Sequence, residues 1–249
     1  MESVEYERMY YSEDQHWWYS GMATITEAII NRYISHLARL KILDAGCGTG
    51  SAMATYLSKY GDVTGTDVSP IALDFCRKRN LNQLILATIK DIPLQFNTYD
   101  LITSFDVLYS IDDDAQVMKE FYRILKPGGN LLLRLPANNW IRGNHDVVVH
   151  TIRRYSSAKI KRLFTIGGFS TVHISYSNTF LFPLAIIYRL ILERLFPPDK
   201  GSSDLSINFG LLNSILKSIL RSEAPFVARH GLPFGLSIFA LGEKQILVN

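Results

Sequence analysis

Apolar positions at Ile25, Ala28, Ile29, Tyr33 and Leu37 recur at helical spacing, so residues 1–40 read as helical. The pattern then changes to short apolar runs broken by helical stretches. Lys41 to Leu43 is a strand that ends in a glycine-rich turn, and Ala52 to Lys59 is the helix after it. Asp62 to Thr66 is a second strand. Pro70 to Arg79 is a helix with Ser69 placed to cap it and proline at its first position. Leu84 to Thr88 and Tyr99 to Ser104 are further strands, with Asp113 to Ile124 a helix. Pro127-Gly128-Gly129 predicts a turn before the strand Asn130 to Leu135. Ser157 to Ile166 reads as a helix, Phe169 to Tyr176 as a strand, and Leu232 to Gly242 as the last strand.

Strands alternating with helices at this spacing imply parallel βαβ units with right-handed crossovers. Leu131-Leu132-Leu133 has no polar face, as expected of a strand buried on both sides. The order predicts an α/β doubly wound sheet with a helical insertion, residues 178–229, before the last strand. Its parts are an N-terminal helical lid (1–40), an α/β core (41–177), the insertion, and residues 230–249, which return to the core.

The insertion opens with a run that is apolar nearly all round: Phe180, Phe182, Leu184, Ile186, Ile187, Leu190, Ile191 and Leu195. Such a helix must be buried, paired or lipid-facing. A spanning helix needs roughly 20 apolar residues, and Pro183, Arg189, Glu193 and Arg194 interrupt this one. The expectation is a cap over an apolar pocket, with peripheral but not inserted membrane contact. The N-terminus lacks the basic and apolar regions of a signal peptide, so a cytoplasmic location is expected.

Composition narrows the functions. With 47% hydrophobic residues in 249, a large core is available. A net charge of +3, from 26 basic and 23 acidic residues, gives no basic stripe for a nucleic acid. The two cysteines, Cys47 and Cys76, have neither metal nor CxxC spacing, so no metal is expected. Asp112-Asp113-Asp114 reads as acids favouring a helix N-terminus rather than as ligands.

The chemistry gathers at residues 42–50, Ile-Leu-Asp-Ala-Gly-Cys-Gly-Thr-Gly. Gly46, Gly48 and Gly50 form GxGxG after an apolar strand, with Asp44 closing that strand. The dinucleotide fingerprint GxGxxG wants glycine at Ser51, so a nicotinamide cofactor is disfavoured. Asp67 ends the second strand, where a carboxylate suits a ribose diol. Asp91 follows the third strand in Lys-Asp-Ile-Pro-Leu. All three acids fall at the carboxyl ends of adjacent parallel strands, the crevice where open α/β sheets bind ligands.

These motifs, with Gly-Thr-Asp-Val-Ser-Pro around Asp67, Tyr99-Asp100-Leu101-Ile102 and Glu120 to Gly129, resemble the class I S-adenosylmethionine-dependent methyltransferases. The resemblance covers residues 40–136 and extends weakly to His16-Trp17-Trp18-Tyr19. It implies a seven-stranded, mostly parallel sheet with an antiparallel last strand, and S-adenosyl-L-methionine as cofactor. The loop Asp44, Gly46, Cys47, Gly48 and Gly50 would face its methionine part. Asp67 would hold the ribose, with Val68 beside it. Asp91 would take the adenine amine, with the Ile92 backbone next to the ring. Phe105 and Asp106 would flank the sulfonium, and Trp18 would close the site. Many relatives carry Glu-His where this chain has Tyr109-Ser110, so no histidine base transfers from that position.

The candidate catalytic residues lie beyond the fifth strand, in Gly143 to Tyr155. His145, His150 and Tyr155 are read as groups able to serve an acceptor, since imidazoles exchange protons near neutral pH. Asp146 could orient a histidine, and Arg153 could pair with an acceptor anion. The alternative for this segment is a loop tied down by polar contacts. The expected activity is methyl transfer to an O, N or C nucleophile of a small, fairly hydrophobic acceptor, of the kind met in natural-product, lipid or glycan biosynthesis. Two other readings stay open: a cyclase or isomerase that binds the cofactor without spending its methyl group, and a membrane-surface binding protein. Monomer and homodimer are equally compatible with the sequence.

Overall fold

The computed structural model describes residues 3–34, 39–143, 146, 151–187 and 210–246. Two helices come first, α1 (Ser3–Glu13) and α2 (Trp17–Tyr33). They are separate because His16 turns the chain into extended backbone and accepts the Trp18 N–H as an N-cap. Next are β1 (Leu40–Ala45), α3 (Ser51–Thr55), β2 (Gly61–Asp67), α4 (Pro70–Lys78) and β3 (Leu84–Leu86). There follow β4 (Tyr99–Phe105), α5 (Asp114–Ile124), β5 (Leu125–Pro136), α6 (Ser157–Gly167) and β6 (Phe169–Ser177). The chain ends in α7 (Phe182–Ile187), α8 (Leu211–Ser222), α9 (Ala224–Arg229) and β7 (Ser237–Lys244).

The strands form one seven-stranded sheet in the order β3-β2-β1-β4-β5-β7-β6. The first five are parallel, and β7 runs antiparallel to both β5 and β6. The strand order reverses between β1 and β4, which places a ligand crevice at their carboxyl ends. Alternate residues of the buried strands face different helix layers. Leu43, Ile102, Leu131 and Leu133 pack with Phe121 of α5 and Phe164 of α6. Ile42, Leu101 and Leu132 pack on the other face with Ile25 and Ile29 of α2 and Val227 of α9. Side chains alternate along a strand, so the unbroken leucine run of β5 serves both layers.

Several boundaries move for physical reasons. Pro127-Gly128-Gly129 lies within β5 as an irregularity: the register with β4 shifts between Tyr99 and Leu101, and Gly128 takes a φ of 78°. The last strand begins at Ser237, because Leu232 makes only an isolated bridge to Tyr176. Ser69 does cap α4, its hydroxyl accepting the Ala72 N–H at 3.3 Å. The described part of the insertion is built onto the N-terminal region. Leu216 and Leu220 of α8 are buried, and a Cβ on Gly21 of α2 would lie 2.4 Å from Leu220 Cδ2. Asn213 of α8 accepts the Trp17 N–H at 2.9 Å and donates to Gln15 O at 2.9 Å. Leu37, Leu190, Ile191 and Leu195 lie outside the described residues. Among the described residues no helix is long and apolar enough to cross a membrane.

Candidate functional site

The site begins where β1 runs into its turn. Gly46 and Cys47 donate their N–H groups to Thr66 O of β2, at 2.7 and 2.9 Å, which ties the turn to the neighbouring strand. Gly46 has φ 81°, and a Cβ there would lie 2.3 Å from Val107 Cγ2. Gly48 has φ 54°, and its Cβ would lie 2.8 Å from Met9 Cε of α1. Both positions need glycine for backbone angle, and Gly46 also for space, since Val107 cannot easily move aside. Gly50 closes the turn as the left-handed residue before α3. Cys47 is buried against Cys76, with 4.0 Å between the sulfurs. That neighbour and burial push the Cys47 thiol up, away from the thiolate a nucleophile needs. Its side chain packs beneath the turn rather than into the crevice.

Asp44 is buried at the end of β1 and its Oδ1 accepts the Thr103 hydroxyl of β4 at 2.7 Å. Burial pushes its carboxyl up from 3.8 to about 6, against the opposing pull of that hydroxyl and of Arg134. Asp67 closes β2 with both oxygens engaged: Oδ2 accepts the Gly48 N–H at 3.0 Å and Oδ1 the Ser69 N–H at 2.9 Å. The carboxylate is thus fixed relative to the glycine turn. Burial raises it also, and these backbone donors resist the rise. Val68, next in sequence, is an apolar side chain left 71% exposed beside this carboxylate.

Beyond β3, Asp91 is exposed and its N–H is held by Thr88 O at 3.1 Å. The Ile92 N–H donates to Glu120 Oε1 at 2.8 Å and the Ile92 side chain lies in the core, so its backbone donor is already committed. At the end of β4, Asp106 takes φ 55°, an uncommon conformation for a non-glycine residue. Its Oδ2 accepts Arg134 Nε at 2.7 Å. The Arg134 guanidinium lies 4.8 Å from the Trp18 ring centroid and 4.9 Å from that of Phe105. Trp18, Phe105 and Asp106 are therefore brought together, as the sequence suggested, but around a cation that the sequence reading missed. The signal was present: Arg134 is the one charged residue in the otherwise apolar run Leu131 to Leu135.

A second missed group joins α1 to the turn. Glu13 accepts the Thr49 hydroxyl and Arg79 Nη2, the latter at 3.2 Å. Arg79 also donates to Thr49 O and Tyr10 O, at 3.1 and 3.2 Å, and lies 4.5 Å from the Tyr10 ring centroid. Burial pushes the Glu13 carboxyl up to about 7, although Thr49 and Arg79 pull it down. These bonds hold α1 across the glycine turn.

Of the segment after β5, the described residues 146 and 151–155 are held by polar contacts. Tyr155 is 1% exposed, and its hydroxyl donates to Leu108 O at 3.1 Å and lies 3.2 Å from Asp114 Oδ2. Burial and the adjacent Asp114 carboxylate raise its hydroxyl further. Asp146 pairs with Arg154, at 2.8 Å through both Nε and Nη2. Arg153 is paired with Asp114 at 2.8 Å. His145 and His150 lie outside the described residues. Asp113 caps α5 and Asp112 meets Lys90, as helix-end acids do. Among the described residues no group of three or more His, Cys, Asp or Glu could hold a metal ion.

Residues 43–133 match a family model described as a methyltransferase domain. A demethylmenaquinone methyltransferase of Lactiplantibacillus plantarum is 33% identical over 129 residues, 47% of this chain and 50% of that protein. The chain thus aligns with about half the length of this curated relative. Among solved structures, the putative methyltransferase in complex with the Haloferax volcanii Trm112 activator superposes with a TM-score of 0.63 at 19% identity. That match covers 99% of this chain and 96% of the other. The [4+2]-cyclase SpnF superposes with a TM-score of 0.59 at 18% identity, covering 90% of this chain and 81% of that one. At such identities the two structures speak for the fold alone. Together, residues 43–133 match a methyltransferase domain, and the sheet order and glycine turn are those of the class I S-adenosylmethionine-dependent methyltransferase fold.

Proposed function

We propose that the protein transfers a methyl group from S-adenosyl-L-methionine to a small, fairly hydrophobic acceptor. The observation that carries this reading is the Asp67 carboxylate, locked by Gly48 and Ser69 beside a glycine turn and an exposed Val68. The residues fit the cofactor. The turn leaves no room for a Cβ at Gly46 and holds Gly48 in a left-handed conformation, Asp67 has the acceptor oxygens a ribose diol requires, and Val68 offers an apolar surface to an adenine. Asp44 would meet the methionine ammonium, and Asp91 would take the adenine amine.

When bound, the cofactor supplies a methyl group already activated by its sulfonium. The protein then has to orient, to desolvate and to hold charge. Trp18 and Phe105 wall the crevice with rings around Arg134, and Asp106 balances that cation. Helix α1, pinned by Glu13, Thr49 and Arg79, acts as a lid that keeps water from the turn. The aromatic side chains of Phe180, Phe182 and Phe234, beyond β6 and before β7, supply the apolar acceptor side. A second reading draws on Tyr109-Ser110, which replaces the Glu-His of many relatives: the cofactor would serve only as a bound charge, as in a cyclase.

Incubation with methyl-labelled S-adenosylmethionine and a panel of apolar phenols, quinols and amines separates the two. Methyl transfer releases S-adenosylhomocysteine in step with labelled acceptor. Acceptor conversion without S-adenosylhomocysteine would overturn transfer in favour of the second reading.

Asp44 gives a pH prediction. A carboxyl raised from 3.8 to about 6 contributes stability that is full below 3.8 and lost as pH rises through about 6. A neighbouring ammonium reverses the preference, because it favours the carboxylate. Affinity for S-adenosylmethionine is therefore expected to rise with pH up to about 6 and then level off. Proton release, measured calorimetrically in buffers of different ionisation enthalpy, should accompany binding below that pH and vanish well above it. PH-independent binding would show that Asp44 does not face the ammonium.

A further inference from the structure

One end of the molecule carries exposed apolar side chains that continue outward from Phe180 and Phe234 of the acceptor side. Along α8, Leu212 and Ile215 are exposed, while Leu216 and Leu220 face inward. Glu223 joins α8 to α9 with helical backbone angles, φ −73° and ψ −22°, so the turn spacing continues through the junction. Leu212 and Phe226 are fourteen residues apart in sequence, four helical turns at 3.6 residues each, and so fall on one side. Phe226 is exposed and its ring lies 6.1 Å from that of exposed Phe180. Trp140 and Phe234, also exposed, both flank Phe182, at 6.0 and 5.3 Å. The six side chains Trp140, Phe180, Leu212, Ile215, Phe226 and Phe234 are each between 45% and 58% exposed. Clustered exposure of this kind marks an interaction surface.

Charge selects the occupant. Segments 138–143, 178–187 and 210–236 contain four basic residues, Arg142, Lys217, Arg221 and Arg229, and one acid, Glu223. Glu223 is 0% exposed and spends its Oε1 on the Phe180 N–H at 2.7 Å. Arg229 follows Phe226 by three residues and Arg142 follows Trp140 by two, and no carboxylate is exposed on these segments, so the charge nearest the apolar side chains is positive. A second copy docking by two-fold symmetry would set this face against itself, cation against cation. An anionic bilayer complements it, with rings and leucines at the acyl boundary and basic side chains at the headgroups.

Topology gives the contact a purpose. Trp140 follows the carboxyl end of β5 and Phe180 that of β6, while Phe234 precedes β7, which runs the opposite way. All three sit at the end of the sheet that holds Asp44, Asp67 and Asp106.

We propose that this face docks peripherally on anionic lipid surfaces and turns the crevice toward the bilayer. The test is sedimentation of the full chain with vesicles of phosphatidylcholine, alone or mixed with phosphatidylglycerol. Binding is expected to the mixed vesicles, weakening with salt. A triple variant, Leu212→Ser, Ile215→Ser and Phe226→Ser, is expected to lower partitioning by at least about tenfold, since each residue removes apolar area from the contact. Arg229→Glu is expected to lower it about fivefold, on the basis of one basic residue near a charged membrane surface. Melting temperature and S-adenosylmethionine affinity, measured on the same preparations, should match the parent. These controls keep failure of docking distinct from failure of the cofactor reading. No binding to mixed vesicles, or binding that the triple variant retains, would overturn the proposal. So would a parent dimer that the same variant converts to monomer without any vesicle binding, which would assign the face to a second copy.

Discussion

Asp67→Ala is expected to weaken S-adenosylmethionine binding by about 100-fold, equivalent to ~2.7 kcal/mol. Two charge-assisted hydrogen bonds to a ribose diol would contribute roughly 1.5–3 kcal/mol each. Water filling the vacated space returns part of that. The variant also strips the Gly48 and Ser69 N–H groups of their acceptor, so the turn itself loosens. Asp67→Asn separates these effects. It keeps one acceptor oxygen and the side-chain volume, and is expected to fall between the parent and Asp67→Ala in affinity while melting close to the parent. Titration calorimetry beside thermal unfolding reads both quantities. Equal affinity in all three proteins would remove Asp67 from the ligand site.

The largest expected effect on stability comes from Asp146→Ala. Asp146 and Arg154 are both 4% exposed and meet through two 2.8 Å bonds. Asp146 also accepts the Gly143 N–H at 2.9 Å, and Arg154 Nη1 donates to Ala137 O at 2.9 Å. Removing the carboxylate leaves a guanidinium buried without its counter-charge, which costs about 3–5 kcal/mol. That is a large part of a typical folding free energy of roughly 5–15 kcal/mol. The companion Asp146→Ala/Arg154→Met variant, which removes both charges, should recover part of the loss. Urea unfolding measures both. A cost below about 1 kcal/mol would match a solvent-screened surface pair and would contradict the buried geometry.

This ion pair shows where sequence reading stops. Gly-Asn-His-Asp gave reason to expect acid–base chemistry near Asp146, because those residue types exchange protons. Which partner an acid takes depends on tertiary distance, and Arg154 lies eight residues away along the chain. Tyr155 follows the same logic: its hydroxyl is used up by Leu108 O across the fold. The sheet was far more legible, since the apolar runs, the glycine turn and the acid ending β2 are local signals of βαβ folding. Boundaries slipped only where local and tertiary forces differ. Pro127-Gly128-Gly129 reads as a turn by composition, yet it stays within β5 because Leu125 already pairs with Tyr99. The Arg134 sandwich and the Glu13–Thr49–Arg79 cluster join residues far apart in the chain, so no single segment could announce them.

The central claim is that the crevice above β1 and β2 binds S-adenosyl-L-methionine. Calorimetric titration of the purified chain with S-adenosylmethionine and with S-adenosylhomocysteine tests it most directly. The account predicts saturable, one-to-one binding of both in the micromolar range. A folded protein, with a cooperative melting transition, that binds neither would contradict it.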